Sequence, residues 1–291
     1  MNNDIHASSQ LVYLKVSMWQ ARSLDKRVTN DLNVEQGAAA NASRVNKYLM
    51  ASADAELKAI ARIGREARDL VESSTLPWDD AGNRLVSNVA LFTLLGELKT
   101  VEQKFNIAVD DFVREYPRLC TESITALGDM GNVNDYPAAE EVRGKFGIRV
   151  SLQPLADGYG DVRTGLSPEQ VSMLNEAYAE QVRGQFEEAQ AKAIERLKEN
   201  VARMADRLSL TPEGKSKAFT YTLVENLRET VDLLRSLNVL NTPELAELLD
   251  DAEQRLCRFD VKELRDSLTA ASSTKQAADS ILARMAAFGS A

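Results

Sequence analysis

Few residues in this sequence have the type and spacing for covalent chemistry. The single histidine, His6, lies in the polar opening Met1-Asn2-Asn3-Asp4-Ile5-His6-Ala7-Ser8-Ser9, and segments of this kind are usually mobile. A general base must be held within hydrogen-bond reach of the proton it takes. His6 is therefore a poor base, and histidine-assisted serine or cysteine catalysis is not expected, although lysine can replace histidine. The sequence has no G-x-x-x-x-G-K-[ST], no G-x-G-x-x-G and no H-E-x-x-H. Gly158-Tyr159-Gly160-Asp161 reads as a turn, because no apolar strand leads directly into it. Paired acids occur at Asp79-Asp80, Asp110-Asp111, Glu140-Glu141, Glu187-Glu188 and Asp250-Asp251. On a helix such neighbours point about 100° apart and do not share a face, so they read as solvated surface. A carboxylate metal site built from separate helices stays open. Cys120 and Cys257 are too few for a disulfide framework or a zinc site. The chain is expected to be non-catalytic and to need no cofactor.

Binding is the better prospect. The net charge is -9, from 35 Lys+Arg against 44 Asp+Glu, yet residues 1–75 hold ten basic and nine acidic residues. Arg44, Lys47, Lys58, Arg62 and Arg65 fall close to one stripe if that region is helical, and Lys15, Arg22, Lys26 and Arg27 lie nearby in sequence. Such a surface suits nucleic-acid phosphates, with Tyr13, Trp19 or Tyr48 available to stack on bases. An ordinary solvated helix face is the competing reading. The acidity of the remaining chain opposes strong non-specific duplex binding but leaves room for a local groove.

These residues need elements to position them, and 291 residues make one elongated domain or two compact ones. Leu11–Met18 alternates with Val12, Leu14, Val16 and Met18 on one side, a strand pattern. From about Ala38 to Ser73 there is no proline, and Val45, Leu49, Ile60, Ile63, Ala67 and Leu70 predict a long amphipathic helix, open to interruption near Ala51-Ser52. Ser73–Gly82 reads as a loop. Leu91, Leu94, Leu98, Val101, Phe105, Ala108 and Phe112 then form a 3-4 seam in a helix that ends at Tyr116-Pro117. A second long helix starts at Ser167-Pro168 and reaches about Leu208. The two seams most simply pack as an antiparallel hairpin, with a homo-oligomeric coiled coil as the rival. Phe146–Leu152 and a short return at Val162–Thr164 predict a β-hairpin that pairs with strand 11–18. Helices follow at about 213–237, 242–256 and 261–287, with partial disorder from about Ser272. The expected fold is mainly α: an elongated helical bundle with long antiparallel coiled-coil-like helices and one small antiparallel β-sheet. Its consecutive segments are 1–75, 76–210 and 211–291.

Several phrases occur in a telling order. Ser17-Met18-Trp19-Gln20-Ala21-Arg22-Ser23-Leu24-Asp25-Lys26 comes first, then Arg44-Val45-Asn46-Lys47 and Thr75-Leu76-Pro77-Trp78-Asp79-Asp80-Ala81-Gly82-Asn83-Arg84-Leu85. Asp135-Tyr136-Pro137, Arg143-Gly144-Lys145-Phe146-Gly147 and Glu225-Asn226-Leu227-Arg228-Glu229 complete the series. Together they resemble a family of uncharacterised proteins from tailed phages and prophages, of the domain-of-unknown-function type, found beside phage DNA-metabolism genes. The resemblance spans most of residues 12–240, brings no catalytic residues and implies a phage setting in the host cytoplasm. Trp78 reads as a buried anchor rather than a recognition residue.

The expected function is that of a non-catalytic phage accessory protein. It would oligomerise and act in DNA replication or recombination, in single-stranded DNA binding or annealing. The alternatives are a protein-interaction adaptor, serving an AAA+ ATPase or a host factor, and an assembly scaffold. The partners are accordingly a second copy of the chain, single-stranded nucleic acid, or a phage or host protein. No membrane is expected, because no stretch approaches roughly 18 uninterrupted apolar residues, and no secretory signal opens the sequence. A cytoplasmic location follows.

Overall fold

A computed structural model of the protein describes residues 8–155, 167–209, 222–236 and 243–288. The fold is mainly α, with nine α-helices among the described residues and one small four-stranded antiparallel sheet. The first strand, β1 (Ser9–Ser17), matches the alternation read from Val12, Leu14 and Val16. It lies between β5 (Arg84–Ser87) and β6 (Gly147–Pro154), and β4 (Leu76–Pro77) closes the edge in the order β4-β5-β1-β6. The β1–β5 register is antiparallel, with Leu11 opposite Leu85 and Ser9 opposite Ser87. The expected return strand at 162–164 lies outside the described residues. Residues 73–82, read as a loop, instead carry β4 and the turn into β5. Asp79 accepts from the Asn83 amide at 3.0 Å and Gly82 takes φ 92°, so a hairpin is closed too tightly for its short strands to show alternation.

The basic N-terminal third differs from the sequence reading. Residues 38–53 form no α-helix. A two-stranded ribbon pairs β2 (Arg22–Leu24) with β3 (Asn46–Tyr48), around α1 (Lys26–Glu35) and its Asp25 cap. The helix α2 starts only at Asp54 and ends at Ser74, after a 3-10 turn at Ala51–Ala53. Polar side chains explain the difference, because they bond to backbone locally and compete with helix. Asn33 donates to the Ala40 carbonyl at 3.0 Å, Ser43 donates to Asn33 at 2.7 Å, and the Val45 amide donates to Thr29 at 3.0 Å.

The long helix α3 (Asn88–Ala126) continues through Pro117 instead of stopping there. Proline removes one helical hydrogen bond, but Tyr116 and Leu119 on either side are 3 % and 1 % exposed, and this packing offsets the loss. Its buried seam follows the expected residues except that Val109, not Ala108, takes the inward position. A short α4 (Ala139–Gly144) precedes β6. The helix α5 (Pro168–Arg207) begins as read, with a Ser167–Gln170 capping box. Three more helices follow: α6 (Thr222–Ser236), α7 (Pro243–Leu256) and α8 (Val261–Asp266). The last, α9 (Leu268–Phe288), runs through the residues expected to be partly disordered. The predicted single helix over 261–287 breaks at Ser267, whose extended backbone and hydroxyl cap the next helix at Ala270.

The described residues form two compact units. The first comprises the described part of Met1–Tyr13, with Leu70–Leu94 and Ser151–Ala291; the second comprises Leu14–Asp69 and Leu95–Val150. This discontinuous division differs from consecutive segments 1–75, 76–210 and 211–291. In the first unit the α5 seam is covered by α6 and α9, not by the 91–112 seam, which belongs to the second unit from Leu95 onward. Leu197, Val201, Met204, Leu227 and Ile281 fill that core and Trp78 is buried within it. In the second unit Ile60, Phe105, Val109 and Leu119 are at most 1 % exposed. Among the described residues no helix is long and apolar enough to cross a membrane.

Candidate functional site

An open cleft of about 580 Å³ lies within the second unit. The turn between β1 and β2 supplies Trp19 and Gln20, β2 supplies Arg22, β3 supplies Asn46 and Tyr48, and the first turns of α2 supply Asp54, Lys58 and Ala61. The ribbon register places Arg22 directly opposite Tyr48. Ala21, wholly buried, adopts φ 50°, and its carbonyl accepts from the Leu49 amide at 2.7 Å. A non-glycine residue held in that region stores strain, and here it turns Trp19 and Arg22 into the same cleft.

The Trp19 ring is half-buried. It meets Tyr116 edge-on with centroids 5.8 Å apart, Phe112 at 6.5 Å, and the Lys145 ammonium 5.8 Å from its centroid. Burial and the neighbouring Asp54 carboxylate raise the Tyr48 phenol above its ordinary range, so it stays a protonated donor. Asp54 also pairs with Lys58 at 2.6 Å, and this contact raises the Lys58 ammonium. The cleft thus offers aromatic faces, cations and carboxamides. Among the described residues no group of three or more His, Cys, Asp or Glu is placed to hold a metal ion. Burial raises both thiols, Cys257 to about 11, and raises Tyr136 to about 12, so these groups are poor nucleophiles or bases near neutrality. The arrangement is suited to binding.

Of the nine basic residues singled out from the sequence, Arg22 and Lys58 line the cleft. Arg62 and Arg65 follow Lys58 on α2 at helical spacing, both exposed. Lys15, Lys26 and Arg44 are exposed elsewhere in the second unit. None of these three, nor Arg22, Arg62 or Arg65, has an ion-pair partner among the described residues. Arg27 donates to the Asp129 carbonyl at 3.2 Å.

Lys47 is the correction. Its side chain is 6 % exposed, 2.5 Å from Asp135 and 3.6 Å from Asp25, and it donates to the Met130 carbonyl at 2.8 Å. The alternation of β3 turns it inward between the exposed Asn46 and the half-buried Tyr48, so it holds the cleft wall and offers no surface charge. Sequence reasoning also missed Gln20, Asn46 and Asp54. The one available signal was their adjacency to Arg22, Tyr48 and Lys58 along the chain.

The same network makes a pH prediction. The Val28 amide, 3.0 Å away, holds the Asp25 carboxyl below its ordinary 3.8, burial opposes this, and Lys47 and Arg27 assist. A carboxylate lowered by folding stabilises the protein above its unfolded pKa and loses that contribution as pH falls through the lower folded value. Asp25→Asn keeps a capping side chain and removes the titration. Its Tm is expected to fall less steeply than that of the unaltered protein as the pH drops below 3.8. Identical acid limbs would exclude Asp25 as a cause.

Comparison with known proteins finds no family model, no curated protein and no solved structure that matches this chain.

Proposed function

We propose that the protein binds single-stranded nucleic acid in the cleft of its second unit, as a non-catalytic accessory protein of DNA replication or recombination in a phage-type setting. One observation carries this reading: two aromatic rings, Trp19 and Tyr48, line a single cleft with Arg22 and Lys58, and the unpaired Arg62 and Arg65 continue from it along α2. Bases can stack on aromatic faces for about 1–3 kcal/mol each regardless of sequence, while phosphates meet the cations. Charge distribution supports this. The segments of the second unit hold 17 Lys+Arg against 17 Asp+Glu, so the whole excess of -9 falls on the other segments.

Fluorescence anisotropy of a labelled oligo-dT at low salt tests the reading. Binding should be micromolar and should weaken steeply with added salt. Arg62→Glu with Arg65→Glu should weaken it by about tenfold or more, since each phosphate contact contributes its own counterion release. No binding at tens of micromolar, a concentration range typical of weak non-specific complexes, would overturn it. The weight would then move to a protein-interaction adaptor, for which Val89 and Phe92 on the first turns of α3, 86 % and 78 % exposed, supply an apolar surface.

A further inference from the structure

A second cleft, of about 490 Å³, lies wholly within the first unit, between one face of α5, the end of α2 and the β4–β5 hairpin. We propose that it binds a small organic polyphosphate, an ester carrying two linked phosphates and of nucleoside-diphosphate size. Arg84, Lys192, Arg196 and Arg203 line it, against the carboxylates Glu72 and Glu199. Lys192 also pairs with Glu188 at 2.6 Å, so the surplus positive charge of the cleft rests on its arginines, in the unit whose segments hold the whole net -9. Lys192, Arg196 and Arg203 stand on one face of α5 and cover about 16 Å of its length. Arg84 faces them from β5.

The guanidinium groups are held in position by neutral acceptors, without a carboxylate in ion-pair contact among the described residues. Arg84 donates through Nε to the Thr75 hydroxyl at 2.6 Å and through Nη2 to the Thr75 carbonyl at 3.0 Å. Arg196 donates to the Glu72 carbonyl at 2.9 Å, and Arg84 reaches that same oxygen at 3.5 Å. Two like charges thus converge on one neutral acceptor. Neither of them, nor Arg203, has a carboxylate within ion-pair distance among the described residues, whereas Arg143 and Arg284 each have one and Arg235 has two. Burial opposes the Arg84 charge most, the Glu72 carboxylate favours it from beyond ion-pair distance, and Arg196 opposes it least. An anion with several oxygens between them removes that cost, and arginine forks match phosphate geometry. Linked phosphates fit better than a single one, because the cations are spread along the helix. Asn226 on α6 also lines the cleft and gives a neutral polar group for the ester's organic part, and Asn200, 3.0 Å from the Thr230 hydroxyl, lines it too.

The test is isothermal titration calorimetry of the full chain in low-salt buffer with two probes, pyrophosphate and ADP. Saturable binding of both is expected. Lys192→Glu combined with Arg203→Glu alters two exposed residues that cap nothing, and thermal unfolding confirms that this variant is folded. It should bind both probes at least about tenfold more weakly, as loss of charge-assisted hydrogen bonds requires. Absence of saturable heat at millimolar probe, or equal affinity in the double variant, would overturn the proposal. The same variant should bind oligo-dT with unchanged affinity, whatever the fate of the first cleft. If it loses oligonucleotide and pyrophosphate together, these cations serve a nucleic-acid strand and the small-ligand assignment fails.

Discussion

Lys47→Met is expected to destabilise the protein by about 3 kcal/mol or more, the typical cost of removing one partner from a buried ion pair. Methionine preserves most of the bulk of the lysine chain, so the loss is one of charge. The ammonium has Asp135 at 2.5 Å and Asp25 at 3.6 Å, and it satisfies the Met130 carbonyl. Asp135 Oδ2 has no hydrogen-bond partner beyond this ion pair, so it becomes a buried charge with no counterpart. Urea unfolding monitored by circular dichroism measures the change. Adding Asp135→Asn to Lys47→Met should recover part of the loss. No recovery would mean that packing, not charge, sets the cost. Arg62→Met, at an exposed position with no partner, should stay within about 0.5 kcal/mol of the unaltered protein. Asn46 and Tyr48 flank Lys47 on β3 and both line the cleft. Lys47→Met should therefore also weaken oligonucleotide binding without touching the oligonucleotide.

Phe105→Ala should cost about 3–5 kcal/mol, the range for emptying a fully buried aromatic site. The ring is 0 % exposed on the inward seam of α3. Its surroundings have no slack to close the gap. A Cβ on Gly64 would already stand 3.0 Å from Val16 and 3.7 Å from the Phe105 ring, so α2, β1 and α3 meet at near-contact distance there. Phe92→Ala on the same helix removes the same side chain from a site 78 % exposed, and should change stability by less than about 0.5 kcal/mol. Equal effects of the two substitutions in urea would show that the seam is not what holds α3.

How far these sites could be read from the sequence depended on the range of the interaction that forms them. The Ser167-Pro168 start of α5 and the Pro243 start of α7 were legible, because a cap and a proline act within one turn. The alternations of β1 and β6 were legible for the same reason. Lys47 was not. Its burial depends on Asp135 and Met130, more than 80 residues away, and nothing in Asn46-Lys47-Tyr48 announces them. The helix expected over 38–53 failed because the hydrogen bonds of Asn33 and Thr29 to residues 40–45 outweigh apolar periodicity there. Pro117 misled in the opposite direction, since its local cost was visible and the distant packing of Tyr116 and Leu119 was not. Arg22, Tyr48 and Lys58 were legible as residue types but not as neighbours, which only the β2–β3 register reveals. The cations of the other cleft went unnoticed, because Arg84 and Arg196 are 112 positions apart and neither stands in a basic run.

The chain passes between its two units four times, and each passage falls inside a regular element: β1, α2, α3 and β6. This gives the protein an unusual heredity. A gene fusion that joins two reading frames end to end cannot assemble such a pattern, and one premature stop or one crossover cannot remove a unit cleanly. A break at the second or third passage leaves both halves holding parts of each unit, and a break at the first or fourth leaves one half holding part of a single unit. The two clefts are therefore carried on interleaved segments of one reading frame, and neither unit can be inherited as a single uninterrupted stretch of it.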